Sequence, residues 1–455
     1  MKFSAFWAIL ACKIMIKALR LLGHGGTAIP GKLALKICPN LLGYLARDVR
    51  SIVITGTNGK TTSARMVEEI FALSGDTYFA NRSGANLIGG ITAEFALHCS
   101  LSGKCKAKYA IIETDEAASK EVCRFLNPAV VLVTNVFRDQ LDRFGDTANT
   151  LENILIGIKN SPNATLCLNA DCPLTASIVS SVENPFIFYG VDVPIYKSPV
   201  DSGDTMHCPY CMVEYEYSYR TFGHLGGWRC AKCGRERPQP LVSVVRVDDC
   251  GVNSSLVRMR IIKGYHDVLI NVPGGYNIYN AAGALAVSQA MLMSPEAAVA
   301  AISSFSCGFG RMEQFDMGGS TARMILIKNA TGCNQVLNYL TGLTQKTLFV
   351  CCINDNTGDG TDVSWLWDVG FEKLAELEDI LGDIYVSGIR RDDMAVRLKY
   401  AGISPEHISV FADYDELIKA MTEAGLPTVI MPTYSAMMEL RAKMSAAFGG
   451  KDFWE

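Results

Sequence analysis

The sequence predicts an α/β protein made of two successive sheet-and-helix units, and three observations predict it. Short apolar runs alternate with helical patterns along most of the chain, the signature of parallel strands joined by helices. A Gly-rich turn, Thr55-Gly56-Thr57-Asn58-Gly59-Lys60-Thr61-Thr62, lies between a strand-like run and a helical one. A second series of apolar runs begins beyond a Gly-Gly-Ser stretch at 318–320. The 455 residues are 49% hydrophobic and 19% charged, which is enough apolar material for more than one core.

From Met1 to Leu22 the chain is apolar but broken by Lys2, Lys13, Lys17 and Arg20. Those cations interrupt any apolar span of roughly 18 residues, which argues against a transmembrane helix, and a signal peptide would need an unbroken core. Two readings stand: an amphipathic helix packed on the protein, or one resting on a membrane surface as a peripheral contact. Ser51–Thr55 reads as a strand and Thr61–Leu73 as the helix after it. Tyr109–Glu113 and Val130–Thr134 read as buried parallel strands, continued by Ala164–Leu168 and Phe186–Tyr189. From 205 to 237 the composition turns to Cys, Gly, Tyr and Arg, as in an insertion with its own fold. Strands resume at Leu241–Val247 and Val257–Ile262, and an Ala-rich helix follows over Asn277–Leu292. In the second unit Met324–Lys328, Thr347–Ile353, Asp383–Ser387 and Thr428–Met431 read as strands. The expected division is an N-terminal segment 1–50, a central unit 51–320 carrying the insertion 205–237, and a C-terminal unit 321–455.

The net charge of −4 provides no bulk basic field of the kind a nucleic-acid binder carries. Most of the 16 cysteines sit singly in apolar runs, such as Cys167 and the pair Cys351–Cys352, and read as buried free thiols in a reducing cytosol. Cys208, Cys211, Cys230 and Cys233 differ: two CxxC knuckles stand 18 residues apart. Each presents two thiolates from a tight turn, and together they suit one tetrahedral Zn²⁺ with no open position, hence a structural ion. A redox pair is the alternative. Arg220, Arg229, Lys232, Arg235 and Arg237 lie nearby, but the acidic balance makes nucleic acid the weaker reading of the ribbon.

In the Gly-rich octet, glycines let backbone N–H groups close round phosphate oxygens, and the helix N-terminus adds partial positive charge. Lys60 is placed for the β/γ-phosphates of ATP and the Thr61 hydroxyl for Mg²⁺. Ile54 stands where the commoner phosphate loop has its first glycine, so this is the shorter form.

That octet resembles the Mur ligase family, and further residues extend the likeness. They are Ser83-Gly84-Ala85-Asn86, Glu113, Asn135, Asp139-Gln140-Leu141-Asp142-Arg143, Leu168-Asn169-Ala170-Asp171, Gly274-x-x-Asn277-x-x-Asn280-Ala281-Ala282 and Gly310-Arg311-Met312-Glu313. The resemblance implies a Mur ligase-type central P-loop ATPase domain with an inserted four-cysteine zinc ribbon, followed by a smaller α/β C-terminal domain. It implies ATP bound by Gly56, Thr57, Asn58, Gly59, Lys60, Thr61, Thr62, Asn86, Asn277, Asn280 and Arg311. It also implies Mg²⁺ on Thr61 and Glu113, with Lys60 and Glu113 serving transfer of the γ-phosphate to a carboxylate. Gln140 stands where most members carry a metal-binding His. The segment ahead of Thr55 is shorter than the family's usual UDP-sugar domain.

The stretches 328–335 and 354–368, the ribbon, and Gly23–Lys32 together resemble the ligase subunits of lipid II isoglutaminyl synthases. That branch implies phosphorylation of the D-glutamate α-carboxylate in the lipid II stem peptide, then displacement of phosphate by ammonia. The ammonia would come from a glutamine amidotransferase partner of the GatD type. The chain has six His and no Cys in a G-x-C-x-G elbow, so it carries no evident glutaminase of its own. The resemblance further implies that one aspartate in 355–368 orients the partner's catalytic His, with Asp362 the first choice and Asp355 the second. The plain reading of that loop is Asx turns and a helix cap. The expected location is cytoplasmic, at the inner face of the membrane. Competing readings are another Mur or folylpolyglutamate-type ligase that joins an amino acid, a zinc-ribbon binding module, and a P-loop ATPase coupled to motion.

Overall fold

The computed structural model describes residues 2–21, 28–81, 85–137, 147–196, 206–251, 253–262, 264–306, 311–377 and 380–449. Strands β1 (Arg50–Thr55), β2 (Tyr78–Ala80), β3 (Tyr109–Glu113), β4 (Val130–Val133), β5 (Thr165–Asn169) and β6 (Phe186–Val191) are parallel. A two-stranded ribbon, β7 (Glu216–Phe222) and β8 (Leu225–Arg229), interrupts them. The antiparallel run β9 (Val242–Cys250), β10 (Ser255–Ile261) and β11 (Gly264–Ile270) then closes one edge. The order of this sheet is β11-β10-β9-β6-β5-β4-β1-β3-β2. β3 and β4 are buried at every position, as strands with both faces covered must be, and this is why they read as unbroken apolar runs. From β1 the chain builds outward in both directions. The carboxyl ends of β1, β3 and β4 therefore form a switch-point crevice, where open α/β sheets bind ligands.

Three helices precede β1: α1 (Lys2–Leu21), α2 (Ala28–Ile37) and α3 (Leu41–Ala46). Ala5, Ala8, Ile9, Cys12 and Ile16 lie three or four residues apart on α1 and are all buried. Lys13 Nζ donates to the carbonyls of Cys99 (2.6 Å) and Leu97 (3.4 Å), a cation at the C-terminal end of the helix Ile88–His98. Among the described residues no helix is long and apolar enough to cross a membrane.

The second sheet holds β12 (Arg311–Asp316), β13 (Thr321–Ile325), β14 (Thr347–Cys352), β15 (Leu381–Ser387), β16 (Ile408–Val410) and β17 (Thr428–Pro432). Its order is β12-β13-β17-β14-β15-β16. It departs from the expected boundary at 320. β12 pairs with β13 in register Asp316↔Thr321, and Met317 N donates to Ser320 O. Gly318–Ser320 is thus a hairpin turn inside the second sheet, where positive φ at Gly318 and Gly319 reverses the chain. Glycine marks linkers and hairpin turns alike, and composition does not separate them.

The ribbon is bound to the large sheet through a buried charge. Asp171, fully buried after β5, receives Arg237 Nε at 2.6 Å, Tyr279 OH at 2.5 Å and the Val191 N–H at 3.0 Å. Burial raises its carboxyl above the usual range while the Arg237 guanidinium pulls it back. Arg237 also reaches Asp192 at 2.8 Å. Trp228 of β8 donates to the Ala170 carbonyl at 2.9 Å. Arg237→Met keeps the side-chain length but leaves a buried carboxylate without its cation. It is expected to destabilise the chain by about 3–5 kcal/mol. Chemical denaturation tests this, and the double variant Arg237→Met/Asp171→Asn should lose less than the two single losses added together.

Candidate functional site

The octet forms a loop between β1 and the helix Lys60–Leu73. Gly56 and Gly59 take φ of +119° and +84°. A Cβ at Gly56 would lie 2.4 Å from Thr134 Oγ1, and one at Gly59 would lie 2.1 Å from Asn280 Oδ1. Glycine is required at both positions for conformation and for space. Asn135, just past β4, clamps the loop. Its Oδ1 accepts from Asn58 N at 2.9 Å, its Nδ2 donates to Asn58 O at 3.0 Å, and its carbonyl accepts from Thr57 N at 2.9 Å. Asn280 sits on the buried helix Tyr276–Ala290, accepts from Ser63 Oγ at 3.3 Å and donates to Asn277 Oδ1 at 2.9 Å.

Thr61 Oγ1 donates to Glu113 Oε2 at 2.7 Å. Two hard oxygen donors from different elements thus converge beside the loop, a pairing that fits Mg²⁺. Asn81 positions Glu113 through both backbone groups, accepting from its N–H at 2.9 Å and donating to its carbonyl at 2.7 Å. Lys60 is buried at the first helical position and pairs with Glu116 Oε1 at 3.0 Å. The sequence alone does not point to Asn81 or Glu116. A lone Asn and a second Glu three residues after Glu113 carry no pattern until the sheet brings them to the loop.

These groups line a cleft of about 460 Å³ between the two units. Thr57–Thr62, Asn86, Glu113, Glu116, Asn135, Asn277 and Asn280 form one wall, and Lys328, Thr331, Gly332 and Gln335 of the second unit form the other. Asn329 caps the helix Ala330–Leu340 by accepting from Gly332 N at 2.8 Å, and its Nδ2 reaches Asn58 Oδ1 at 3.3 Å across the cleft. The ribbon contributes Phe222, and Tyr276 and Tyr279 complete an aromatic side. Arg311 opens β12 opposite Ile325, while its side chain, together with Ser83, Gly84, Gly310 and the stretch Asp139–Arg143 with Gln140, lies outside the described residues. So do Gly23–Thr27. Glu313 of the Gly310–Glu313 motif pairs with Arg441 of the last helix at 2.8 Å, a contact within the second unit.

The four ribbon cysteines have Sγ atoms all within 4.8 Å of one another, with Cys208–Cys233 at 3.7 Å and Cys211–Cys230 at 3.3 Å. Zn–S bonds of about 2.3 Å in a tetrahedron put sulfurs about 3.8 Å apart, so one ion fits. The Arg235 backbone N–H holds the Cys233 thiol down at about 6, while the neighbouring Cys230 thiol pushes Cys211 up to about 12. Asp362 is not among the cleft residues. It lies beyond the end of β14, half-buried, and one of its oxygens accepts from Ser364 N at 2.8 Å at the start of a short helical turn. Asp355 pairs with Arg390 at 2.7 Å. Asp359 is buried against Ser435, whose N–H it accepts at 2.6 Å.

Comparison with known proteins fits this geometry. Residues 54–201 match the Mur ligase middle domain and residues 326–437 the MurT ligase C-terminal domain. The subunit MurT of lipid II isoglutaminyl synthase (glutamine-hydrolysing) from Streptococcus pneumoniae is 31% identical over 430 residues, 93% of either chain. Its namesake from Staphylococcus aureus is 30% identical over 445 residues, 97% of this chain and 98% of the relative. Among solved structures, MurF from Acinetobacter baumannii superposes with a TM-score of 0.67 at 16% identity, covering 91% of this chain and 80% of that one. Folylpolyglutamate synthase from Mycobacterium tuberculosis gives 0.61 at 14%, covering 98% and 96%. The structural likenesses establish the Mur ligase fold, and with identity sustained end to end, the chain belongs to the MurT family of Mur-type ligase subunits.

Proposed function

We propose that this chain is the ligase subunit of a lipid II isoglutaminyl synthase: it uses ATP to amidate the D-glutamate α-carboxylate of the lipid II stem peptide. The observation that carries the reading is the cleft itself. A phosphate loop, the Thr61–Glu113 oxygen pair and Lys60 face a second unit of the MurT type. A carboxylate oxygen of the substrate attacks the γ-phosphorus and ADP leaves, giving an acyl phosphate. The nitrogen lone pair of ammonia attacks the acyl carbon, phosphate departs and a proton is lost. Such chemistry depends mainly on position and charge neutralisation. Thr61 and Glu113 would hold Mg²⁺, which supplies charge neutralisation to the phosphates. Lys60 exchanges Glu116 for phosphate when the nucleotide enters. Gly56–Thr62, Asn86, Asn277, Asn280 and Arg311 form the nucleotide site in this reading, and Lys328 brings a second cation from the facing wall.

Ammonia comes from a GatD-like glutaminase partner, a reading supported by the relatives being subunits of glutamine-hydrolysing synthases. Asp362 orients that partner's catalytic imidazole. Its loop lies past a parallel strand end and outside the cleft, and only one of its oxygens serves the Ser364 turn. The ribbon holds one structural Zn²⁺. Because β7 carries Phe222 into the cleft, that ion supports the nucleotide side without touching substrate. A lipid-linked substrate puts the reaction at a membrane face. The overall test is mass spectrometry of lipid II incubated with ATP, glutamine, this chain and its partner. An unchanged acid mass would end the reading.

Lys60→Ala is expected to lower ATP turnover by roughly a thousandfold or more with the fold intact by circular dichroism. Amidation at the normal rate would remove Lys60 from the mechanism. Metal analysis should find one zinc per chain, and Cys208→Ser/Cys230→Ser should lose it and raise KM for ATP through displacement of Phe222. Zinc-free folded protein of full activity would oppose the assignment. The chain alone should use ammonium but not glutamine. Asp362→Asn should cut glutamine-dependent amidation in the complex on the order of a hundredfold or more while ammonium-dependent amidation persists. Loss of both together would place Asp362 in the ligase site instead.

A further inference from the structure

The first helix is apolar on two opposite faces, and only one of them is covered. Small and branched side chains, Ala5, Ala8, Ile9, Cys12 and Ile16, face the protein and are at most 3% exposed. On the other side Phe3, Trp7, Leu10, Ile14, Lys17 and Leu21 follow one another at alternating steps of four and three, a single stripe along the helix. Phe3 is 78% exposed, Trp7 49%, Ile14 60% and Leu21 81%. Phe6 and Trp7 pack edge to face at 5.5 Å, and Phe3 and Trp7 at 6.2 Å, so the rings form one cluster. A helix lying on a protein with water beyond it carries polar residues on its outer side. This one carries its largest apolar side chains there, with Lys17 and Arg20 exposed beside them.

Charge points to the occupant. Lys2, Lys13, Lys17, Arg20, Lys32, Lys36 and Arg47 all precede Asp48, the first acidic residue of the chain. The other 35 of the 42 basic residues are set against all 46 acidic ones. A purely cationic segment therefore sits on an otherwise anionic protein. The helix Ala28–Ile37 repeats the pattern, exposing Ile29 and Ile37 together with Lys32 and Lys36. Aromatic and aliphatic side chains flanked by Lys and Arg, with no carboxylate among them, are what a helix lying in a membrane interface presents. A large exposed apolar patch of this kind marks an interaction site. Lys13, bound to the carbonyls of Leu97 and Cys99, keeps the helix anchored to the body of the protein.

We propose that the outer face of the helix Lys2–Leu21 docks on an anionic lipid bilayer surface, with Phe3, Phe6, Trp7 and Ile14 entering the headgroup boundary and Lys17 and Arg20 contacting lipid phosphates. This deepens the proposed function by naming the surface through which the enzyme meets its membrane, but it stands on the helix itself and not on the reaction. The test is co-sedimentation of the full chain with vesicles of phosphatidylcholine alone and of phosphatidylcholine with phosphatidylglycerol, neither containing lipid II. Binding is expected to the anionic vesicles and to weaken as salt rises. Lys17→Gln/Arg20→Gln should reduce it on the order of tenfold, and Phe3→Ser/Trp7→Ser should reduce it as far or further. ATP turnover with a water-soluble stem-peptide acid and ammonium should be unchanged in both variants, which shows that they fold. No binding by the wild-type chain, or equal binding by both variants, overturns the proposal. So does a self-associated state in sedimentation that the Phe3→Ser/Trp7→Ser change dissolves, because the stripe would then cover a second copy. Vesicle binding without lipid II amidation would defeat the proposed function and leave the docking surface standing.

Discussion

The cleft between the two units depends on a backbone that cannot hold its own shape. At Gly56 and Gly59 the phosphate loop takes conformations that side chains disfavour, and neither position has room for a Cβ. Two asparagines hold it from outside. Asn135 bonds both backbone groups of Asn58, and Asn280 fills the space against Gly59. A glycine loop is useful to phosphate only if it is organised before phosphate arrives, since ordering it on binding would oppose affinity. The sheet order serves this end. Placing β1 between β3 and β4 brings Glu113 to one side of the loop and Asn135 to the other.

The support extends to the ribbon. Tyr279, next to Asn280 on the same helix, bonds the buried Asp171 carboxylate and lies 2.7 Å from Thr221 Oγ1 of β7. Phe222 follows Thr221 and lines the cleft. Arg237, at the exit of the ribbon, neutralises Asp171. A buried ion pair of this kind adds little net stability over an apolar replacement, but breaking half of it is severe. Here it sets where the insertion sits relative to the phosphate loop, a matter of geometry more than of energy. The ribbon thereby reaches the cleft through Phe222 although its cysteines lie outside it.

The second unit completes the cleft from across the gap. Asn329 caps its own helix and reaches Asn58, so a single residue both starts the helix and touches the loop. Lys328 and Gln335 come with it to the facing wall. The acidic stretch after β14 divides its work among several contacts. Asp359 ties the loop to Ser435, Asp355 holds Arg390, and Asp362 starts the helical turn with one oxygen. Asp362 keeps its second carboxylate oxygen outside the turn it starts, and Asp355 meets Arg390 through one oxygen as well.

Patterns local in sequence were legible without the structure. Buried parallel strands read as apolar runs because both faces are covered, and Tyr109–Glu113 was placed residue for residue. The tight glycine turn before the helix Lys60–Leu73 and the convergence of the four cysteines were legible because each rests on short segments of fixed spacing. What needed the tertiary structure were contacts between distant segments. Glu116 faces Lys60 and Asn81 positions Glu113 only because β1, β2 and β3 are neighbours in the sheet. Arg237 and Asp171 are 66 residues apart and meet only when the ribbon folds back on β5. The extra strand before Gly318 was hidden because a glycine-rich hairpin and a glycine-rich linker have the same composition. The sequence likewise showed that the first helix is apolar and basic, but not which of its faces would be buried. That was decided by packing against the helices beneath it, which took the small side chains and left the aromatic ones outside.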